Sequence, residues 1–287
     1  MDYPEKINAY TESLIQNHGF PISYQVKKSD SEKSNYSTSH SELDDPTFEK
    51  KYCVYPNIIH KFKGRILVFF TDNCFCHCRF CFRRNRKFFT EKSSGEILKN
   101  LKEYLKKTNT IDEIIISGGD IFSLELKKIR QIIKGLGKLK QIIRFHTRVL
   151  SFSPSTMTDE IINDLSQLKS CWFITHFNHP VELTQQSIEK IEKLRNAGIP
   201  LMNQSVLLKK LNDDAMVLKN LFLTLYKNGV KPYYLHQLDT AIGTTSFKVQ
   251  EDSGKALMEI LLKELPGGAV PRYVKDVDSN QHKIILL

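Results

Sequence analysis

The 287-residue chain has no uninterrupted apolar run of the length that spans a bilayer. Its N-terminus also lacks the apolar stretch and the small-residue cleavage site of a secretory signal. Together these absences predict a cytoplasmic protein with no membrane partner. A third absence is a dispersed set of cysteines that could staple distant loops. Four of the six crowd together as Cys74, Cys76, Cys78 and Cys81, while Cys53 and Cys171 stand alone. Such crowding, in a chain without a secretory signal, reads as metal ligation in a reducing compartment.

Hydrophobic residues make up 40% of the chain, enough to fill a core, and one large α/β domain is the simplest arrangement. The formal charge of +10 raises the encounter rate with acidic molecules. Nucleic acid or an acidic protein would fit that field, and so would a lysine-rich solvated surface that binds neither. Charge by itself assigns no function.

Residues 6–18 predict a short helix ended by Gly19 and Pro21. From Lys27 to Lys51 the chain is polar and rich in Ser and Asp, and reads as a mobile linker or surface loop. Residues 1–52 are therefore expected to form an N-terminal extension, and residues 53–287 the main domain. There, strands are predicted at Arg65–Thr71, Glu113–Ser117, Ile142–Thr147, Trp172–His176, Leu201–Val206 and Tyr233–Leu238. Helices are predicted near Gly95–Lys106, Leu124–Leu136, Thr158–Leu168, Thr184–Ala197, Asp214–Asn228 and Gly254–Lys263. Beyond the first pair, strands recur roughly every 30 residues, the length of one βα unit. Six units imply an α/β fold with a parallel sheet wound as an open or partial (β/α)6 barrel. Functional residues then belong at the carboxyl ends of the strands.

Directly after the first predicted strand, Cys74, Cys78 and Cys81 stand in the spacing C-x3-C-x2-C. Three thiolates on a tight loop can hold three irons of a four-iron, four-sulfur (4Fe-4S) cluster and leave the fourth open to an outside ligand. A zinc knuckle is the alternative: Cys76 or His77 could complete a tetrahedral set, although side chains this close would crowd it. In the iron reading Cys76 is an incidental thiol.

The loop and its surroundings resemble the radical S-adenosylmethionine superfamily and, more narrowly, the lysine 2,3-aminomutase family. The matching stretches are His60-Lys-Phe-Lys-Gly-Arg65, Cys78-Arg-Phe-Cys81-Phe-Arg83-Arg84, Ile116-Ser-Gly-Gly-Asp120, Thr175-His-Phe-Asn-His-Pro180, Asn203-Gln-Ser-Val-Leu-Leu208 and Lys231-Pro-Tyr-Tyr-Leu-His-Gln-Leu-Asp239, in the family's order. The resemblance implies a partial TIM-like barrel of the radical SAM type, with a 4Fe-4S cluster on Cys74, Cys78 and Cys81, S-adenosyl-L-methionine and pyridoxal 5′-phosphate.

Ser117, Gly118, Gly119 and Asp120 are implied to contact the methionyl part of S-adenosylmethionine, and glycines at a strand end would let backbone approach a ligand. His176 and Gln204 are implied to contact its nucleoside or carboxylate; taken singly, each reads as a satisfied buried polar group. Lys283, seven residues after Asp276, is implied to hold pyridoxal phosphate as an imine. Its approach, Val277-Asp-Ser-Asn-Gln-His282, departs from the glycine-rich stretch of better-known members, which motivates a second reading: a member that keeps the cluster and has lost the pyridoxal chemistry. Lys61 and Arg65 are implied to cradle the phosphate, with Lys61 where an arginine is common and so without the bidentate fork. Arg83 is implied to bind the substrate α-carboxylate. Asp239 and Asp276 are implied to hold the distal ammonium of lysine, because a buried cation needs opposite charge.

The implied reaction begins with an electron from a donor such as flavodoxin or ferredoxin. The cluster splits S-adenosylmethionine, the resulting 5′-deoxyadenosyl radical takes a hydrogen from the β-carbon of L-lysine, and nitrogen moves from C2 to C3 to give β-lysine. Tyr234-Leu-His236-Gln-Leu-Asp239, and the want of a cysteine-bearing extension after Lys283, resemble the branch that feeds elongation factor P modification. Lysine catabolism or a β-lysine metabolite is the alternative use. No nucleic-acid partner is expected of such an enzyme. The reading of another class is a basic zinc-binding, RNA- or ribosome-associated module, which would contain zinc without iron and bind RNA with steep salt dependence.

Overall fold

Runs of isoleucine, valine and phenylalanine make the strands. In β4 (Glu113–Ser117), Ile114, Ile115 and Ile116 are all buried, as in a central parallel strand covered on both faces. The computed structural model, which describes residues 3–30, 32, 45–84, 90–276 and 282–287, joins such runs into a ten-stranded sheet ordered as in the chain. Strands β1 (Cys53–Tyr55), β2 (Ile58–Phe62) and β3 (Arg65–Phe69) form an antiparallel ribbon. From β3 the pairing is parallel through β4, β5 (Ile142–Thr147), β6 (Cys171–Thr175), β7 (Leu201–Val206), β8 (Lys231–His236) and β9 (Arg272–Lys275). Strand β10 (Ile284–Ile285) returns antiparallel to β9. Among the described residues the two outer strands do not pair with each other, so the barrel stays open.

Two helices, α1 (Ala9–His18) and α2 (Phe20–Val26), precede the sheet, and α3 (Ser94–Lys107) and α4 (Leu126–Leu136) make its first two parallel crossovers. A short α5 (Val149–Phe152) precedes the other crossover helices, α6 (Asp159–Ser166), α7 (Gln185–Asn196), α8 (Ala215–Lys227) and α9 (Glu251–Glu264). Each crossover helix turns an apolar stripe to the sheet. In α4 the stripe is Ile129, Ile132, Ile133 and Leu136, a helical spacing, and each such side chain contributes about 1.5–3 kcal/mol when fully buried.

Six βα units were predicted and six are found, but a seventh parallel strand, β9, follows the last helix. The β1–β2 hairpin and β9 carry too few apolar residues in alternation to be read as strands. Predicted ends also shift: β3 stops at Phe69 rather than Thr71, and β8 runs Lys231–His236 rather than Tyr233–Leu238. The N-terminal helix starts at Ala9, where the Asn8 side chain accepts from the Thr11 N–H, and Gly19 ends it with φ of 66°. Pro21 does not stop the chain's helix as expected. It sits in the first turn of α2, where its missing N–H leaves no bond unmade.

Residues 31 and 33–44 of the expected linker lie outside the described residues. Its described parts are only partly solvated: Lys27, Lys28, Asp30, Lys50 and Lys51 are exposed, while Glu32, Thr47 and Glu49 are buried. The Asp45 carboxylate accepts from the N–H groups of Glu49 and Lys50 at 3.0 and 2.8 Å and starts a 3-10 turn over Glu49–Tyr52. A polar stretch can be buried here because arginines from the main domain pair with its acids.

On the concave face the period-two alternation brings polar side chains inward. Arg144 and His146 flank the core residue Phe145, Gln204 and Val206 flank Ser205, and Tyr234 and His236 flank Leu235; the flanking residues all line one cavity.

Candidate active site

The cavity lies at the carboxyl ends of the parallel strands, and every residue singled out in the sequence lines it: Lys61, Arg65, Cys74, Cys78, Cys81, Arg83, Ser117, Gly118, Gly119, Asp120, His176, Gln204, Asp239, Asp276 and Lys283.

One wall is the cysteine loop after β3. Its backbone is tied on two sides. The His77 and Arg79 N–H groups donate to Lys6 and Gln25 carbonyls at 2.9 and 2.8 Å, and those of Gly119 and Asp120 donate to Thr71 and Asn73 carbonyls at 3.0 and 2.7 Å. Arg79 is wholly buried and forks onto Glu32, with Nε–Oε1 and Nη2–Oε2 of 2.9 and 2.6 Å, while Arg84 Nη2 donates to the same carboxylate at 2.8 Å. Cys74, Cys76, Cys78 and Cys81 are all free of disulfides; the Cys78 sulfur accepts from Arg148 Nη1 at 3.0 Å and the Cys76 thiol donates to Thr11 Oγ1 at 3.1 Å.

Burial pushes the Cys74 thiol well up, and Cys78 is pushed up to about 11 by burial, opposed by the Arg148 charge. Thiolates here need cationic compensation, which iron supplies. Among the described residues no three such groups converge on a single metal position. Cysteines that each bind a different iron of a cube need not converge, so the donor set fits a cluster.

The glycines also have a local cause. At Gly118, with φ of +109°, a Cβ would stand 2.1 Å from the Phe69 ring; at Gly119 it would stand 2.3 Å from the Asn73 carbonyl oxygen. Gly119 lets the cysteine loop seat against it, and Gly118 makes room for the Phe69 ring on β3. The Asp120 carboxylate is likewise occupied. It accepts from Thr147 Oγ1 at 2.7 and 2.8 Å, the Arg148 N–H at 2.9 Å and the Phe122 N–H at 3.1 Å, which leaves it a brace between β4 and β5.

His176 donates from Nε2 to Asn178 Oδ1 at 3.0 Å, and burial holds it neutral at ordinary pH, with its Nδ1 as an acceptor. Gln204 Nε2 donates to His146 Nδ1 at 3.2 Å, so the His146 proton is on Nε2. That atom is buried and makes no hydrogen bond among the described residues.

The opposite wall carries charge. Lys283 Nζ pairs with the Asp276 carboxylate. Burial opposes ionisation of Asp276, but the Lys283 ammonium outweighs it and holds the carboxyl below its usual range. Asp239 goes the other way: burial, with the Asp276 charge added, pushes it up to about 7. His236 is pushed down to about 3 by burial and the Lys283 charge. The segment 277–281 between Asp276 and His282, whose wording was the reason for doubting Lys283, lies outside the described residues.

Lys61 Nζ donates to the Thr47 carbonyl at 3.0 Å, and the Arg65 guanidinium lies 4.2 Å from the Phe62 ring centroid. Two cations and the orphaned His146 N–H suit an anionic cofactor such as pyridoxal phosphate, which would also find Lys283 in the same cavity. Arg83 is not open on all sides. Its Nε lies 3.0 Å from both Glu49 carboxylate oxygens, while Nη1 donates to Ser117 Oγ at 3.3 Å.

Glu49, Arg144, His146, Arg148 and Tyr234 line the cavity and were not singled out from the sequence. Alternation along β5 and β8 was the available signal for Arg144, His146 and Tyr234. Nothing local marks Glu49 or Arg148.

Residues 68–219 match the Radical SAM superfamily. A protein of Treponema pallidum named putative L-lysine 2,3-aminomutase is 37% identical over 86% of this chain and 70% of its own length. L-lysine 2,3-aminomutase of Methanococcus maripaludis is 33% identical over 98% of this chain, which spans 66% of that relative's length. Among solved structures, Streptococcus suis SuiB overlays with a TM-score of 0.57 at 15% identity, covering 94% of this chain and 64% of SuiB, a likeness of fold alone. The cysteine spacing, the open parallel barrel and these relatives agree: the chain belongs to the radical SAM superfamily and, within it, to the lysine 2,3-aminomutase family.

Proposed function

We propose that this protein converts L-lysine to β-lysine by a 2,3-amino shift, with a 4Fe-4S cluster, S-adenosylmethionine and pyridoxal phosphate as cofactors. The observation that carries the reading is a single cavity with three free thiols on one wall and Lys283, Asp276 and Asp239 on the other. When bound, the cluster and S-adenosylmethionine supply a 5′-deoxyadenosyl radical, and pyridoxal phosphate supplies the aldehyde that carries the migrating nitrogen.

The chain's own residues bind and orient. Asp276 holds the Lys283 ammonium; were Lys283 engaged by pyridoxal phosphate, the Asp276 carboxylate would be available to the distal ammonium of lysine. Asp239, poised near neutrality, ionises when that second cation enters, so the pocket gains negative charge only when it is needed. Lys61 and Arg65 supply the phosphate's counter-charge. Arg83, with both Nε and Nη2 on Glu49, turns Nη1 toward Ser117 and a substrate carboxylate. Phe62, Phe80 and Phe82 line the same space and exclude water, which protects a radical.

The test is anaerobic reconstitution with iron, sulfide and pyridoxal phosphate, followed by L-lysine, S-adenosylmethionine and dithionite. β-Lysine and 5′-deoxyadenosine are expected. In Lys283→Ala the pyridoxal absorbance and turnover should vanish while iron content holds; retention of both would remove Lys283 from the role. In the cell a flavodoxin- or ferredoxin-type donor replaces dithionite. The product's use in elongation factor P modification is supported by the wording around His236, and deletion of the gene should then strip β-lysine from that factor.

A further inference from the structure

We propose that Arg148 is a positioning residue that acts through Cys78 and raises the reduction potential of the cluster bound there. The proposal rests on the cluster reading of Cys74, Cys78 and Cys81 and is independent of the amine chemistry.

Arg148 follows β5, 70 residues after Cys78, and its Nη1 donates to the Cys78 sulfur at 3.0 Å. Three of its other four N–H groups are engaged. Nε donates to the His176 carbonyl at 3.1 Å, and Nη2 donates to Gln25 Oε1 at 2.9 Å and Glu182 Oε2 at 2.7 Å. The flat face rests 4.0 Å from the Phe152 ring centroid. Protein contacts thus aim the Nη1–H at sulfur, and the side chain has no freedom to turn away.

Its counter-ion is equally fixed. Glu182 is wholly buried, and it accepts from Gln25 Nε2 at 2.9 Å, from the Asn178 and His179 N–H groups at 3.0 Å each, and from the Ser151 hydroxyl. Burying such a pair costs desolvation that an apolar pair would avoid. What an apolar pair would lack is a positive charge in hydrogen-bond contact with a cluster ligand.

Reduction adds one electron to the cluster and makes it more negative. A cation donating to a ligand sulfur stabilises that form more than the oxidised one, so the potential becomes less negative. The Glu182 carboxylate, on the far side of the guanidinium, opposes the effect in part. Two charge-removing changes therefore act in opposite directions: Arg148→Gln should make the potential more negative, and the near-isosteric Glu182→Gln should make it less negative.

The experiment is a mediated redox titration of the anaerobically reconstituted protein without S-adenosylmethionine, followed by the paramagnetic signal of the reduced cluster. Iron and sulfide content and circular dichroism are measured alongside. Shifts of opposite sign in iron-replete variants are the expected result. Unchanged potentials, or shifts of the same sign, would overturn the proposal, because a purely structural pair affects stability and iron loading without a sign change. If Arg148→Gln does not fold, the upward shift in Glu182→Gln alone decides. A wild-type protein without iron would overturn the cluster reading and this proposal together, whereas a loaded cluster with no β-lysine formed would overturn only the amine chemistry.

Discussion

Replacing Glu49 with glutamine should raise KM for lysine by roughly 10- to 100-fold and leave kcat within about threefold. Arg83 Nε is held 3.0 Å from both oxygens of Glu49, and both side chains are largely buried, at 14% and 8% exposed. That grip leaves Nη1 turned to Ser117 in the cavity. Glutamine keeps the size but loses the charge, and its amide NH2 would face the guanidinium's own donors. A hydrogen bond to a charged group contributes about 1.5–3 kcal/mol, and every 1.4 kcal/mol is about a factor of ten, which sets the predicted range. With Arg83 binding the α-carboxylate as proposed, the cost falls on binding, because that contact is the same before and during hydrogen transfer. The assay is steady-state β-lysine formation under anaerobiosis, with thermal unfolding as a folding control. A fall in KM would refute the reasoning, since it would mean that Glu49 competes with substrate for Arg83 rather than orienting it.

Gly119→Ala should lower stability by about 1–3 kcal/mol and reduce iron retention, because the new methyl meets backbone of the cysteine loop, which must move; a denaturation midpoint and iron assay check this. Apparent affinity for lysine should increase as pH rises through about 7. Asp239, raised to about 7 by burial, is mostly protonated below that value and must release a proton to pair with the proposed distal ammonium; Asp239→Asn should bind weakly and without this step in a calorimetric pH series. The same raised carboxyl stays protonated in the unliganded fold while the unfolded chain ionises, so the stability of wild type relative to Asp239→Asn should fall between about pH 4 and 7. Cys76→Ala should keep wild-type iron content, since its thiol faces Thr11, while Cys78→Ala should lose iron on gel filtration.

The six βα units were legible because each strand and helix carries its own periodic signature, and Ile129, Ile132, Ile133 and Leu136 announce a buried helical stripe without knowledge of any partner. The C-x3-C-x2-C loop was legible for the same reason, its ligands being close in sequence. Strand β9 was not, because a four-residue strand has too short a period to count and is stabilised by β8 beside it. Glu32 and Glu49 looked like linker residues and are buried, since only the folded chain brings Arg79, Arg84 and Arg83 to them.

The amino-acid order by itself determined the class of fold, the cysteine trio and the late lysine with its aspartate seven positions earlier. Tertiary structure alone decided that Asp120 braces β4 to β5, that a Cβ at Gly118 or Gly119 would meet other protein atoms, and that burial and charge move Asp239 and Asp276 in opposite directions. It also set Arg148 against Cys78 across 70 residues of chain. Periodicity and spacing are local properties, carried by neighbours along the backbone. Desolvation and charge pairing depend on which groups folding brings together, and those partners are far apart in sequence.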